Sequence, residues 1–337
     1  IYTLSLHDAL PIYQPGMEQP RIVFMGSPEI AAPLFRALAE RYPIVGVVTQ
    51  PDRPAGRGKK AASPAVKLAA EAAGIPVFQP ERLRRPEAFE VVAGWEPDLI
   101  VVMAYGQILR QPVLDLPRYG CINVHASILP RWRGASPIQA AIAAGDERTG
   151  VSMMRMDAGM DTGAVYSVHE TAIAPDDTAE SLSAKIAALV AEALISDLPR
   201  ILSGELRPTA QPETGVTLTG LIKKEDGRLD FTREAVVLER LVRAYDPWPS
   251  AFLELDGATL KILRARIGPE DSGSRPGARV RIGKEPAVKA ADRFLILDEV
   301  QPAGKKPMSG RAFLGGYRNW SPDGLEGPRL VDRKSVV

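Results

Sequence analysis

The sequence predicts an α/β protein in two parts: a doubly wound, mostly parallel sheet, then a small β-barrel of the oligonucleotide-binding type. Three observations predict this. Short apolar runs alternate with helical patterns through residues 21–202, as βαβ units require. Residues 203–217 then break the pattern with a polar stretch holding two prolines and two glycines. Beyond them, short strand-like runs follow one another, separated by Gly, Pro and Asp.

The elements follow in order. Residues 21–25 (RIVFM) form an apolar run of strand length. Ser27 stands where an N-cap belongs, with Pro28 at the first helical position, so a helix is predicted over 30–40. A second strand over 44–49 leads into a loop at 50–62 rich in Pro, Gly and basic residues. The pattern over 63–73 is helical and stops at Gly74. Strands are predicted at 99–103 and 121–124, a helix at 137–144, and strands at 150–156 and 164–170. Leu182, Ile186, Leu189, Ile195 and Leu202 recur at helical spacing over 178–202, and Asp177 or Thr178 can cap that helix. In the second part, strands are predicted at 228–231, 251–255, 259–267, 278–282 and 294–300, with one helix at 234–244. The expected domain map is 17–202, a linker at 203–217, and 218–331. Residues 1–16 and 332–337 read as foreign extensions, with a natural start at Met17.

Composition narrows the function classes. The chain of 337 residues holds no run of about 18 apolar residues, so no membrane helix is expected. One cysteine, Cys121, excludes a disulfide framework and a multi-cysteine metal site. With three histidines and no set of ligands, no metal is expected. Without a targeting segment, the cytoplasm is the expected compartment. Net charge is +1, but residues 1–221 carry −4 and residues 222–337 carry +5, which hints at a polyanionic partner.

In a doubly wound sheet the site lies beyond the carboxyl ends of the strands. The densest polar cluster there is Asn123, His125, Ser127, Pro130, Arg133 and Gly134, at the end of an apolar run. Two residues apart on an extended segment, Asn123 and His125 point the same way. Asp161 follows in a glycine-marked loop, 156–163. An amide donor can stabilise a developing oxyanion, an imidazole can share that work or shuttle a proton, and a carboxylate can orient the imidazole. That set suits transfer of an acyl-like group to an amine. Each residue also has a structural reading: a satisfied histidine, a turn-capping Asn, ordinary loop aspartates. Cys121 reads as core, and Trp248, between prolines, as a structural corner. Trp132 can stack on a base or pack on its own domain. Gly26-Ser-Pro-Glu is not a dinucleotide fingerprint.

The run N-x-H-x-S-x-L-P-x-x-R-G from Asn123 to Gly134, followed by D-x-G-x-D-T-G from Asp157 to Gly163, resembles the folate-dependent formyltransferases, whose catalytic domain is Rossmann-like. The likeness runs over residues 21–330. Three more segments, at 49–60, 104–109 and 245–249, resemble the branch that acts on methionyl-initiator tRNA. The resemblance implies direct attack of an amine on the formyl carbon of 10-formyltetrahydrofolate, without a covalent enzyme intermediate. Asn123 and His125 would stabilise the tetrahedral oxyanion, while Asp161 would hold His125 and assist the proton. Folate would lie along Gln107, Ile108 and Leu109 and along Ser127, Ile128, Leu129 and Pro130, with Ile108 and Leu109 serving as both core and wall. The basic loop, with Arg53, Arg57, Lys59 and Lys60, would enter the tRNA acceptor end, Arg57 foremost, while the C-terminal barrel grips the tRNA body. A monomer is expected. Alternatives are a sugar-amine or glycinamide ribonucleotide formyltransferase, a formylfolate hydrolase, or a catalytically silent nucleic-acid-binding protein.

Overall fold

A computed structural model describes residues 19–55, 60–317 and 319–321. The proposed extensions and Met17 therefore lie outside the described residues, as do Arg57, Lys59 and the Lys60 side chain. The chain divides into two compact units that are not continuous in sequence. Residues 138–147 and 173–182 group with the unit that runs on from Leu221; the first unit holds the rest, including 183–220.

The first unit is built on a seven-stranded sheet. Its strand order is Val165–Ala172, Arg148–Arg155, Cys121–His125, Leu99–Met103, Ile22–Gly26, Ile44–Val48, Val77–Phe78. The five strands from Cys121–His125 to Val77–Phe78 run parallel, while Arg148–Arg155 pairs antiparallel with both Cys121–His125 and Val165–Ala172. Ile22–Gly26 and Leu99–Met103 are buried along their whole length. That is why they read as unbroken apolar runs: a parallel sheet is covered on both faces. The order reverses at Ile22–Gly26, which lies between Ile44–Val48 and Leu99–Met103. Ligand crevices open at such switch points, beyond the carboxyl ends of the strands.

Several local expectations are corrected. Ser27 does not cap the first helix; its hydroxyl accepts the Gln50 N–H at 2.9 Å, tying two strand ends together. The helix instead begins with a 3-10 turn, Glu29–Ala31, continuing into Ala32–Ala39. The basic loop is not irregular throughout: Arg53–Ala55 and Lys60–Ala62 pair as an antiparallel hairpin. Helix Pro86–Ala93 and strand Val77–Phe78, unpredicted, complete this part. Helix Ala179–Leu202 is as expected, and Thr178 Oγ1 accepts the Ser181 N–H at 3.3 Å.

The second unit carries an antiparallel sheet in the order Ala251–Leu255, Ala258–Glu270, Arg293–Pro302, Glu285–Lys289, Arg279–Ile282, with Met308–Ser309 added to Arg293–Pro302. Helix Ala235–Ala244 turns Leu238, Leu241 and Val242 into a core shared with Leu260, Ile262, Leu295, Leu297 and Trp320. The barrel closure expected from sequence is not seen. Among the described residues the two end strands of this path do not pair with each other, so the sheet is open. The strand expected at 228–231 reduces to a single bridge from Arg228 to Phe252. Glu285–Lys289 and the helix Gly310–Gly316 were not foreseen. Trp248 sits in a chain reversal closed by Ser250 N–H on the Tyr245 carbonyl, yet its indole is exposed.

Candidate active site

Strand Cys121–His125 ends at the carboxyl edge of the first sheet. Its alternation places Asn123 and His125 on one face and Val124 on the other. The loop from Met156 to Gly163 brings Asp161 to them. Asn123 Nδ2 donates to Asp161 Oδ1 at 3.1 Å. The other carboxylate oxygen accepts the Gly134 N–H at 2.8 Å and faces His125 Nδ1 at 3.6 Å. The three residues singled out by sequence therefore converge on one carboxylate.

The tautomer of His125 follows from its neighbours. Nε2 lies 2.9 Å from the Trp132 carbonyl oxygen, which can only accept, so Nε2 carries a hydrogen. Nδ1 is left as the ring's lone-pair nitrogen, and it faces Asp161 beyond hydrogen-bond length. His125 is buried, so its ring is held rather than free to swing.

The backbone here is unusual. Trp132 stands at φ +60 and Asp161 at φ +53, both in the left-handed region. A non-glycine residue pays about 1–2 kcal/mol there, least for Asp and Asn. Gly134, at φ +110, approaches the Thr219 carbonyl so closely that a Cβ would collide with it. The loop after His125 is braced from inside: Ser127 Oγ donates to the Arg131 carbonyl at 2.6 Å, and Ser152 Oγ links the Ser127 carbonyl to the Leu129 N–H at 2.7 and 3.1 Å.

The expected folate residues divide. Ile108 is 77% exposed, so it is not core; Leu109 is 4% exposed and belongs to the hydrophobic core with Val102, Tyr105 and Val113. Both had been expected to serve as core and wall at once. The Gln107 side chain is occupied, accepting the Leu83 N–H at 2.7 Å and donating to the Pro80 carbonyl at 3.0 Å. Ser127 is fully buried, Leu129 nearly so, and Ile128 and Pro130 are half-buried. A separate cleft of about 410 Å³ lies at the amino end of strand Cys121–His125. It is lined by Gln111, Leu114, Cys121, Met156, Asp157 and Gly163, among others, and by none of the seven predicted residues. Sequence reasoning missed it because its walls come from a short helix and a loop without periodic signal. Cys121 contributes to that wall while remaining unreactive: burial, with help from Asp115, pushes its thiol well above the usual range.

Arg53 is exposed and its guanidinium lies 3.3 Å from Gln50 Oε1. Asp52 is held by three described side chains. It receives Gln79 Nε2 at 2.8 Å, Lys67 Nζ at 2.7 Å and Ser63 Oγ at 3.1 Å, which anchors the root of the hairpin. Gln79 first, then Lys67, hold its carboxyl below the usual range. Arg131 stacks its guanidinium over the Trp132 ring at 4.3 Å, so that indole packs on its own loop. Sequence reasoning also passed over Gln211 and Thr217, which lie in the stretch read as linker and hydrogen-bond to the site loops.

Comparison with known proteins agrees with this architecture. Residues 20–198 match the family described as formyl transferase, and residues 221–318 match the formyl transferase C-terminal domain. The chain is 48% identical over 303 residues to methionyl-tRNA formyltransferase of Myxococcus xanthus, covering 90% of this chain and 96% of that protein. It is 46% identical over 300 residues to methionyl-tRNA formyltransferase of Desulfotalea psychrophila, covering 88% and 93%. Among solved structures, HypX from Aquifex aeolicus in complex with tetrahydrofolic acid superimposes with a TM-score of 0.59 at 18% identity. The match covers 94% of this chain and about half of HypX. No helix among the described residues is long and apolar enough to cross a membrane.

Proposed function

The chain belongs to the folate-dependent formyltransferase family, and from that premise we propose that it formylates the α-amino group of methionyl-initiator tRNA, with 10-formyltetrahydrofolate as donor. The observation that carries this reading is the convergence of Asn123, His125 and Asp161 at one strand end. Near-full-length identity of 46–48% to proteins named for that reaction supports the choice of acceptor.

The chemistry follows from the hydrogen bonds. A neutral amine attacks the formyl carbon, and the carbonyl oxygen becomes an oxyanion. Asn123 spends one amide hydrogen on Asp161 and offers the other to that oxygen. His125, with Nε2–H fixed on Trp132, presents Nδ1 on the side of Asp161. A proton taken up there from the attacking ammonium is stabilised by the carboxylate and is delivered to N10 of the folate as the C–N bond breaks. Free α-amines titrate near about 8, so deprotonation at neutral pH costs little.

The folate lies along Gln107, Ile108 and Leu109, which follow the carboxyl end of strand Leu99–Met103, and along Ser127, Ile128, Leu129 and Pro130, which follow the carboxyl end of strand Cys121–His125. Exposed Ile108 offers an apolar surface there, and buried Leu109 and Leu129 back it. The basic hairpin loop, with Arg53, Arg57, Lys59 and Lys60, is the part that meets the tRNA acceptor end, and the +5 C-terminal part meets its body. The proposed catalytic domain is 17–202 and the proposed RNA-binding domain 218–331, in a cytoplasmic monomer.

The test is acceptor choice. The protein is incubated with 10-formyltetrahydrofolate and, separately, methionyl-initiator tRNA, glycinamide ribonucleotide, an amino-sugar nucleotide or buffer. Formylation of the charged tRNA alone is expected. Turnover with a small amine, or with water, would keep the site but discard the RNA acceptor.

A further inference from the structure

We propose that Gln211 and Thr217 are positioning residues for formyl transfer: the segment 209–219 is a strap that fixes the backbone on which Asp161 and His125 depend. The inference rests on the reaction proposed above and assigns a role to a stretch that composition marks only as linker.

The Gln211 carboxamide is fully used. Its Nε2 donates to the carbonyl oxygens of Asp161 and Gly163, each at 2.8 Å. Its Oε1 accepts from Arg133 Nε at 3.1 Å and from the Arg133 terminal nitrogen at 2.8 Å. Two hydrogens and two lone pairs thus join the loop that carries Asp161 to the loop that carries Gly134. Gly134 in turn donates its N–H to the Asp161 carboxylate. Gln211 therefore grips Asp161 from its main chain and, through Arg133, from its side-chain partner.

Thr217 does the same for His125. Its Oγ1 accepts the Trp132 N–H at 2.8 Å, and the Trp132 carbonyl is the acceptor that sets the imidazole tautomer. Both gripped residues, Asp161 and Trp132, stand in the left-handed region. The strap is itself anchored. Thr209 and Val165 exchange backbone hydrogen bonds at 2.8 and 2.9 Å, and the N–H groups of Arg133 and Ala135 donate to Thr217 and Thr219 carbonyls at 3.0 and 3.2 Å. Misplacement of a reacting group by about 1 Å can cost 10²-fold in rate, so fixing these two residues bears on turnover rather than on binding.

Three substitutions test this. Gln211→Glu keeps the acceptor for Arg133 but has no hydrogen for the two carbonyls, and it sets a charge against them. Thr217→Val removes the hydroxyl, and Thr217→Ser keeps it. We expect Gln211→Glu and Thr217→Val to lower kcat about tenfold or more, with KM for the formyl donor within about twofold, and Thr217→Ser to restore the rate. Amide hydrogen exchange should rise in residues 156–163 of Gln211→Glu and stay unchanged in helix Ala179–Leu202. Wild-type kcat in both impaired variants would overturn the proposal, as would a loss that tracks a general fall in melting temperature. If the wild-type protein fails to formylate methionyl-tRNA, the functional reading fails by itself. The exchange measurement still decides the strap, and unchanged exchange at 156–163 would contradict it.

Discussion

Residues 123–134 and residues 209–219 meet at one place and serve it by different means. The first stretch brings groups that act directly: an amide, an imidazole and the Gly134 backbone N–H that donates to the Asp161 carboxylate. The second brings acceptors and donors for other residues' main chains, through Gln211 and Thr217. The first was conspicuous in the sequence because chemistry needs particular residue types at particular spacing. The second was not, because holding a carbonyl or an N–H can be done by any polar residue in the right place. A site is thus half written in reactive residues and half in the unremarkable ones that hold them.

Substitutions can break this contrast, and the largest effect should come where the two stretches converge. Asp161→Ala removes the partner of Asn123, the acceptor of Gly134 and the charge beside His125 together, so kcat should fall about 10³-fold. Single-turnover transfer measures this; a loss under tenfold would mean that Asn123 and His125 hold themselves. His125→Ala should cost about 10²-fold or more, since it deletes a proton carrier while Trp132 loses only one donor. Near-normal turnover would discard the role given to the imidazole. Arg57→Ala should raise KM for the charged tRNA while folate affinity, followed by donor fluorescence, stays put. A large loss of folate binding would place that loop at the wrong substrate.

The smallest effect sharpens the contrast at the hairpin root. Asp52 titrates below its ordinary value because Gln79 and Lys67 hold the charged form. A depressed carboxylate adds stability above its unfolded pKa and loses it as pH falls through the native value. Asp52→Asn should therefore lower the melting temperature slightly at pH 7 and not at all once the pH is below the native pKa. Equal curves at both pH values would remove Asp52 from the root of the loop.

Much of the fold was legible for physical reasons. Strands buried on both faces, such as Ile22–Gly26 and Leu99–Met103, show as continuous apolar runs. Helix Ala179–Leu202 shows its period over 24 residues. Val77–Phe78 has two residues and no pattern to show. Glu285–Lys289 begins with Glu and Pro and closes on a buried lysine whose Nζ donates to the Ala290 and Ala291 carbonyls, which no alternation predicts. At the site, the strand period foretold that Asn123 and His125 share a face. It did not foretell that Ser127 spends its hydroxyl on Arg131, or that Gln107 spends its amide on the chain at 80–83, since both depend on partners chosen by the fold. Ser27 failed as a cap for the same reason: a nearby N–H from Gln50 took its oxygen.

The most direct measurement is single-turnover formyl transfer from 10-formyltetrahydrofolate to methionyl-initiator tRNA by wild type and Asn123→Ala, with donor affinity measured on the same samples. The account predicts a rate lower by about 10²-fold in the variant at unchanged donor affinity, because the lost amide hydrogen acts on the oxyanion and not on the ground state. Equal rates, or a loss explained wholly by weaker donor binding, would contradict it.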